Sequence, residues 1–102
     1  MSHPMHTSSA KRAALAAIRR AHPGNSCAAQ CARILAALER FAVTTYELMR
    51  FADTYDPRAR VMQLRRSGKQ IDTHWKTIVT ESGDRHRVGL YVLRPVSQEV
   101  AL

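Results

Sequence analysis

Four arginines fall within nine residues, at Arg58, Arg60, Arg65 and Arg66, and a second cationic cluster, Arg85-His86-Arg87, follows towards the C-terminus. A guanidinium carries a planar fork of donors that matches a phosphate or the edge of a guanine, whereas an ammonium is only a point charge. The chain holds thirteen Arg against three Lys, with a net charge of +8 over 102 residues. That balance points to polyanion recognition. Catalytic chemistry finds no comparable pattern. The five histidines, His3, His6, His22, His74 and His86, are scattered, and no H-E-x-x-H, G-x-S-x-G or Gly-rich phosphate loop occurs. No enzyme activity and no cofactor are expected.

The only cysteines are Cys27 and Cys31. At i and i+4 they share a helix face but lie too far apart for a disulfide, which suits two small buried side chains. His22 is near in sequence, yet Pro23-Gly24 intervenes and no metal-ligand set results. Free thiols fit a reducing cytoplasm. No apolar run approaches the roughly 20 residues of a membrane span. The opening MSHPMHTSSA lacks the apolar core of a signal peptide. A cytoplasmic protein without membrane contact is expected.

The charge is unevenly placed. Residues 57–94 carry nine Arg/Lys against Asp72, Glu81 and Asp84, a net of +6. Residues 1–40 carry six against Glu39, a net of +5. Between them, residues 41–56 carry Arg50 against Glu47, Asp53 and Asp56, a net of −2.

These residues need elements to position them. Residues 1–8 are expected to be disordered, and residues 96–102 to form a tail. Ser8 or Ser9 caps a helix over Ala10–His22, with Leu15 and Ile18 on its apolar side, and Pro23-Gly24-Asn25 ends it. A single domain over 26–95 follows. Ser26 caps a helix to about Arg40 whose apolar stripe is Cys27, Cys31, Ile34, Leu35 and Leu38. Thr44-Thr45-Tyr46-Glu47 is a capping box, with Val43 and Leu48 placed as a hydrophobic staple. A short helix from Thr45 to about Phe51 results, and Ala52-Asp53-Thr54-Tyr55 is a turn. Asp56 at the N-cap and Pro57 at the first helical position start a further helix, which Gly68 stops after Ser67.

On the helix over 57–67, Pro57, Val61 and Leu64 fall on the core side. Ala59, Met62, Gln63 and Arg66 fall opposite, flanked by Arg58 and Arg60. Such a face suits a helix whose N-terminal half meets base edges in a major groove. Arg65 lies nearer the core, placed to pair with an acid or a phosphate. After Gly68 the period changes from 3.6 to 2. Ile71 to Thr80 and Arg85 to Leu93 read as a two-stranded hairpin around Glu81-Ser82-Gly83-Asp84. Its tip is cationic, with Lys76 opposite Arg85-His86-Arg87, and tips of this kind touch phosphates or the minor groove. Trp75 and Tyr91 are expected in the core, where a single aromatic in a strand usually lies.

Residues 31–93 resemble the small winged helix-turn-helix domains of many bacterial and phage or prophage proteins. The matching features are I-L-A-A-L at Ile34–Leu38, V-T-T-x-E-L at Val43–Leu48, A-R-V-x-x-L-R-x-x-G-x-x-I at Ala59–Ile71, and the closing Leu90-Tyr91-Val92-Leu93. The resemblance implies an α+β fold of three core helices and a two-stranded wing, with the 9–22 helix as an addition. It also implies DNA binding in a regulatory role, often on mobile elements. The candidate DNA contacts are Thr45, Tyr46, Arg58, Arg60, Met62, Gln63, Arg66, Lys69, Lys76, Arg85, His86 and Arg87.

Two other classes compete. A winged-helix interaction module, or an inhibitor of a nucleic-acid-handling partner, should expose an apolar patch on the 57–67 helix or the wing. A structured-RNA binder should expose aromatics or read the shape of A-form helices. The helix over Ala10–His22 is too short and Ala-rich to stand alone, so it packs on its own core or on a second subunit; a homodimer contact is the expected use.

Overall fold

A computed structural model describes residues 7–95. Four helices and three strands run in the order α1 (Ser9–Ala21), α2 (Cys27–Leu38), β1 (Val43–Thr44), α3 (Thr45–Phe51), α4 (Pro57–Arg66), β2 (Ile71–Val79) and β3 (Arg85–Leu93). The 96–102 tail and residues 1–6 lie outside the described residues. Thr7 and Ser8 do not belong to a disordered arm: Thr7 is buried and Ser8 caps α1 by accepting from the Lys11 N–H at 3.0 Å.

Capping chemistry sets each helix start. Ser26 accepts from Ala29 N–H, and Asp56 from Ala59 N–H with Pro57 following it. The capping box is complete: Thr44 Oγ1 accepts from Glu47 N–H and Glu47 Oε1 accepts from Thr44 N–H, both at 3.0 Å. Gly68, at φ +105°, closes α4, and its N–H and that of Lys69 return to Arg65 and Leu64 carbonyls.

The sheet has three strands rather than two, in the order β1-β3-β2, all antiparallel. An N-cap residue must itself be extended; Thr44 sits at φ −86°, ψ 159°, and so offers its edge to β3. Val43 pairs with Tyr91 and Thr44 with Leu90. Ile71 pairs with Leu93 at the root of the hairpin and Val79 with Arg85 at its tip.

The core gathers Leu15 and Ile18 from α1, Ile34, Ala37 and Leu38 from α2, Leu48 from α3, Val61 and Leu64 from α4, and Val43, Ile71 and Tyr91 from the sheet. The apolar side of α1 is therefore covered by the chain's own core. Of the expected α2 stripe, Cys27 is exposed and Cys31 half-buried. Their place inside is taken by two polar residues that periodicity does not reveal. Gln30 is buried and bridges the Asn25 carbonyl and the Tyr55 N–H. Arg33 is 1% exposed and donates to the carbonyls of His22, Gly24 and Asp53 at 2.6, 2.7 and 3.0 Å. Asp53 holds a positive φ of 54°, and Arg33 secures the turn that contains it.

Candidate nucleic-acid interface

The site begins with α4, because its buried side fixes where every other residue on it points. Pro57, Val61 and Leu64 are buried, which turns Arg58, Met62, Gln63 and Arg66 to solvent. Arg65 stands at the edge facing the sheet. Its guanidinium donates from Nε and Nη2 to the Ile71 carbonyl, at 3.0 and 2.7 Å, and from Nη2 to Thr73 Oγ1 at 2.8 Å. It meets no acid among the described residues; half-buried at the edge of the groove, it fixes the root of the β2–β3 hairpin against α4.

Arg60 stands at the opposite edge and faces α2. Its Nη1 donates to Cys27 Sγ at 2.7 Å, while its carbonyl faces the Cys31 thiol at 3.8 Å. Gln63 Oε1 accepts from the same thiol at 3.7 Å. Burial pushes the Cys31 thiol above its ordinary 9.0, against the opposing charge of Arg60. Arg60 is thus engaged away from Arg58 and Met62, at the far edge of the exposed face.

Pleating sorts the wing. Trp75 pairs with Gly89, Thr77 with Arg87 and Val79 with Arg85, so Trp75, Arg85 and Arg87 share the face of the sheet that continues from Ile71 and Tyr91. Lys76 and His86 lie on the other face. The cationic tip is therefore two-sided.

A groove runs between α4 and the wing. Arg58 and Met62 line one wall, Trp75 and Arg87 the other, with Thr45, Gly89 and Tyr91 between them. Thr45 donates to the Gly89 carbonyl at 3.4 Å. A methyl group on Gly89 would meet Thr45 Oγ1 and Thr73 Cγ2, each at 3.4 Å, which is ordinary van der Waals contact. Tyr46 is half-buried with its ring edge-on to Phe51 at 6.5 Å. Lys69 is exposed beyond the Gly68 stop and lines a separate hollow with Leu35 and Glu39.

The sequence expectation for Trp75 fails. Trp75 is 62% exposed, while Tyr91 is buried as expected. The alternation that places Ile71 in the core continues along β2, but His74 to Thr77 are all exposed, and burial resumes only at Ile78, on the other face of the sheet and 3% exposed. Period 2 reports a face, not how far the covering layer extends.

Residues 29–96, two thirds of the chain, match a known family, the winged helix-turn-helix domain. The chain belongs to that family. No curated protein and no solved structure matches it closely enough to name a relative. In winged helix-turn-helix terms, α3 and α4 form the helix-turn-helix and β2–β3 the wing. The family points to DNA as the partner, and its fold is typically non-enzymatic. No helix among the described residues is long and apolar enough to cross a membrane, and no group of three metal-ligating side chains occurs among them.

Proposed function

We propose that this winged helix-turn-helix domain binds double-stranded DNA sequence-specifically, as a transcriptional regulator or an accessory factor of a mobile element acting in the cytoplasm. α4 lies in the major groove and the wing meets the backbone or minor groove. The observation that carries this reading is the exposed stripe of Arg58, Met62 and Arg66 on α4, beside Arg85 and Arg87 on the facing side of the wing. Arg forks beside a narrow apolar contact are what base edges and thymine methyls require. Thr45 and Tyr46, at the N-terminus of α3, stand where backbone phosphates approach a helix-turn-helix. Lys69, Lys76 and His86 add phosphate contacts on the flanks. Gln63 remains a base contact once it leaves the Cys31 thiol.

A homodimer through Ala10–His22 is not part of this reading, because Leu15 and Ile18 are buried in the core of the same chain.

A gel shift with duplex DNA over a salt titration tests it. Neutralising about five phosphates releases condensed counterions and gives a log–log slope of roughly −4 to −5. A flat salt response sinks the reading and favours the interaction-module alternative, for which exposed Met62 and Trp75 would be the contact.

A further inference from the structure

Trp75 has no role in the major-groove reading above. It is the single tryptophan of the chain, and it stands open on the groove-facing side of the wing. The Arg87 guanidinium carbon lies over one face of its ring, 5.1 Å from the centroid, a cation–π arrangement that holds the cation against the indole. Trp75 is 62% exposed and lines the groove with the exposed Met62, so its ring is open to an occupant of the groove.

The lining says what kind of occupant fits. Among the described residues, Arg58, Arg65 and Arg87 are the charged residues of the groove, and no Asp or Glu lines it. Tyr91 and Met62 add apolar surface, and Gly89 across from Trp75 leaves its floor without a side chain. The groove thus combines an aromatic face with cations to one side, which suits a planar base attached to a phosphate. An apolar peptide would leave those cations unpaired.

We propose that Trp75 and Arg87 form a stacking platform for one unpaired nucleobase. The favoured ligand is then DNA with a base outside the stack next to the duplex that α4 reads. This rests on the DNA-binding reading and narrows it. A base extruded from a helix costs least to stack where it is already unpaired. Arg87 serves twice, holding the indole and facing the flanking phosphate.

Because Trp75 is the only tryptophan, its fluorescence reports the contact directly. The probes are a hairpin-closed DNA duplex, the same duplex with one unpaired thymine, and an RNA hairpin of the same sequence. The expected result is quenching by the thymine-bearing duplex and little by the perfect one, with tighter binding of the former. Stacking per base is large enough to make that preference roughly 5- to 100-fold. Trp75→Ala should erase the preference while leaving perfect-duplex binding within about two-fold, and Trp75→Phe should retain part of it. Circular dichroism melts confirm that both variants fold. Equal quenching and equal affinity for the two DNAs would overturn the proposal while DNA binding stands. So would Trp75→Ala weakening both DNAs alike, or stronger quenching by the RNA hairpin. No binding to any DNA overturns both readings.

Discussion

Arg58, Arg60, Arg65 and Arg66 are neighbours in sequence with different surroundings. Arg58 and Arg66 are exposed on the outer side of α4, Arg60 is bonded to Cys27, and Arg65 is engaged in holding the wing. Arg58→Ala and Arg66→Ala should therefore weaken a preferred DNA site by roughly 1–3 kcal/mol each and relax its sequence preference. Arg60→Ala should leave the affinity nearly unchanged. Competition gel shifts compare these variants, and a large affinity loss for Arg60→Ala would reassign it to the interface. Arg85→Ala and Arg87→Ala should weaken perfect duplexes of any sequence about equally and lower the salt slope by about one each. The sequence showed that the cations cluster and which side of α4 is buried. It could not show which guanidiniums are already engaged, because those partners, Cys27 and the Ile71 carbonyl, are set by tertiary approach.

At the level of elements, α3 depends on a carboxylate that does more than cap it. Glu47 is buried and accepts from Thr44 N–H, from the Lys11 ammonium at 2.9 Å and from the Thr7 hydroxyl at 2.7 Å. Burial raises its pKa, but the bonds from Thr44, Lys11 and Thr7 outweigh burial and hold it below the ordinary 4.5. A depressed folded-state pKa stabilises the protein above the unfolded value, and that contribution is lost as pH falls through the folded one. Thermal melts should show the parent losing stability below about pH 4.5, and Glu47→Gln, weaker at neutral pH, should show a shallower loss over the same range. Identical acid profiles for the two proteins would remove Glu47 from this role. The capping box itself was legible, since Thr and Glu three residues apart before an apolar run have few other uses. The pairing of Val43-Thr44 with β3 was not, because a two-residue strand has no period. Thr7 was missed for a related reason: a lone Thr before a helix gives no sign of a carboxylate forty positions away.

At the scale of the whole molecule, α1 is part of the domain although the family match begins only at residue 29. Leu15 is fully buried and Ile18 nearly so. Each such side chain contributes about 1.5–3 kcal/mol on burial, and domains of this size have only about 5–15 kcal/mol of net stability. A chain starting at Gly24 should consequently unfold at much lower denaturant than the full chain, or fail to fold cooperatively. Urea melts decide it, and an unchanged midpoint would show that α1 is an appendage. Its amphipathic pattern was evident in the sequence; that the hydrophobic side closes on its own domain depended on where α2 and α3 leave a gap. Arg33 adds a constraint on how such a chain can vary in length. One side chain holds the carbonyls on either side of Pro23 and that of Asp53, so the connection before α2 and the turn before α4 are measured against each other. An inserted or deleted residue in either would pull a carbonyl off a buried cation. The turn at 80–84 has no tie to that clasp, and length changes among relatives should collect there.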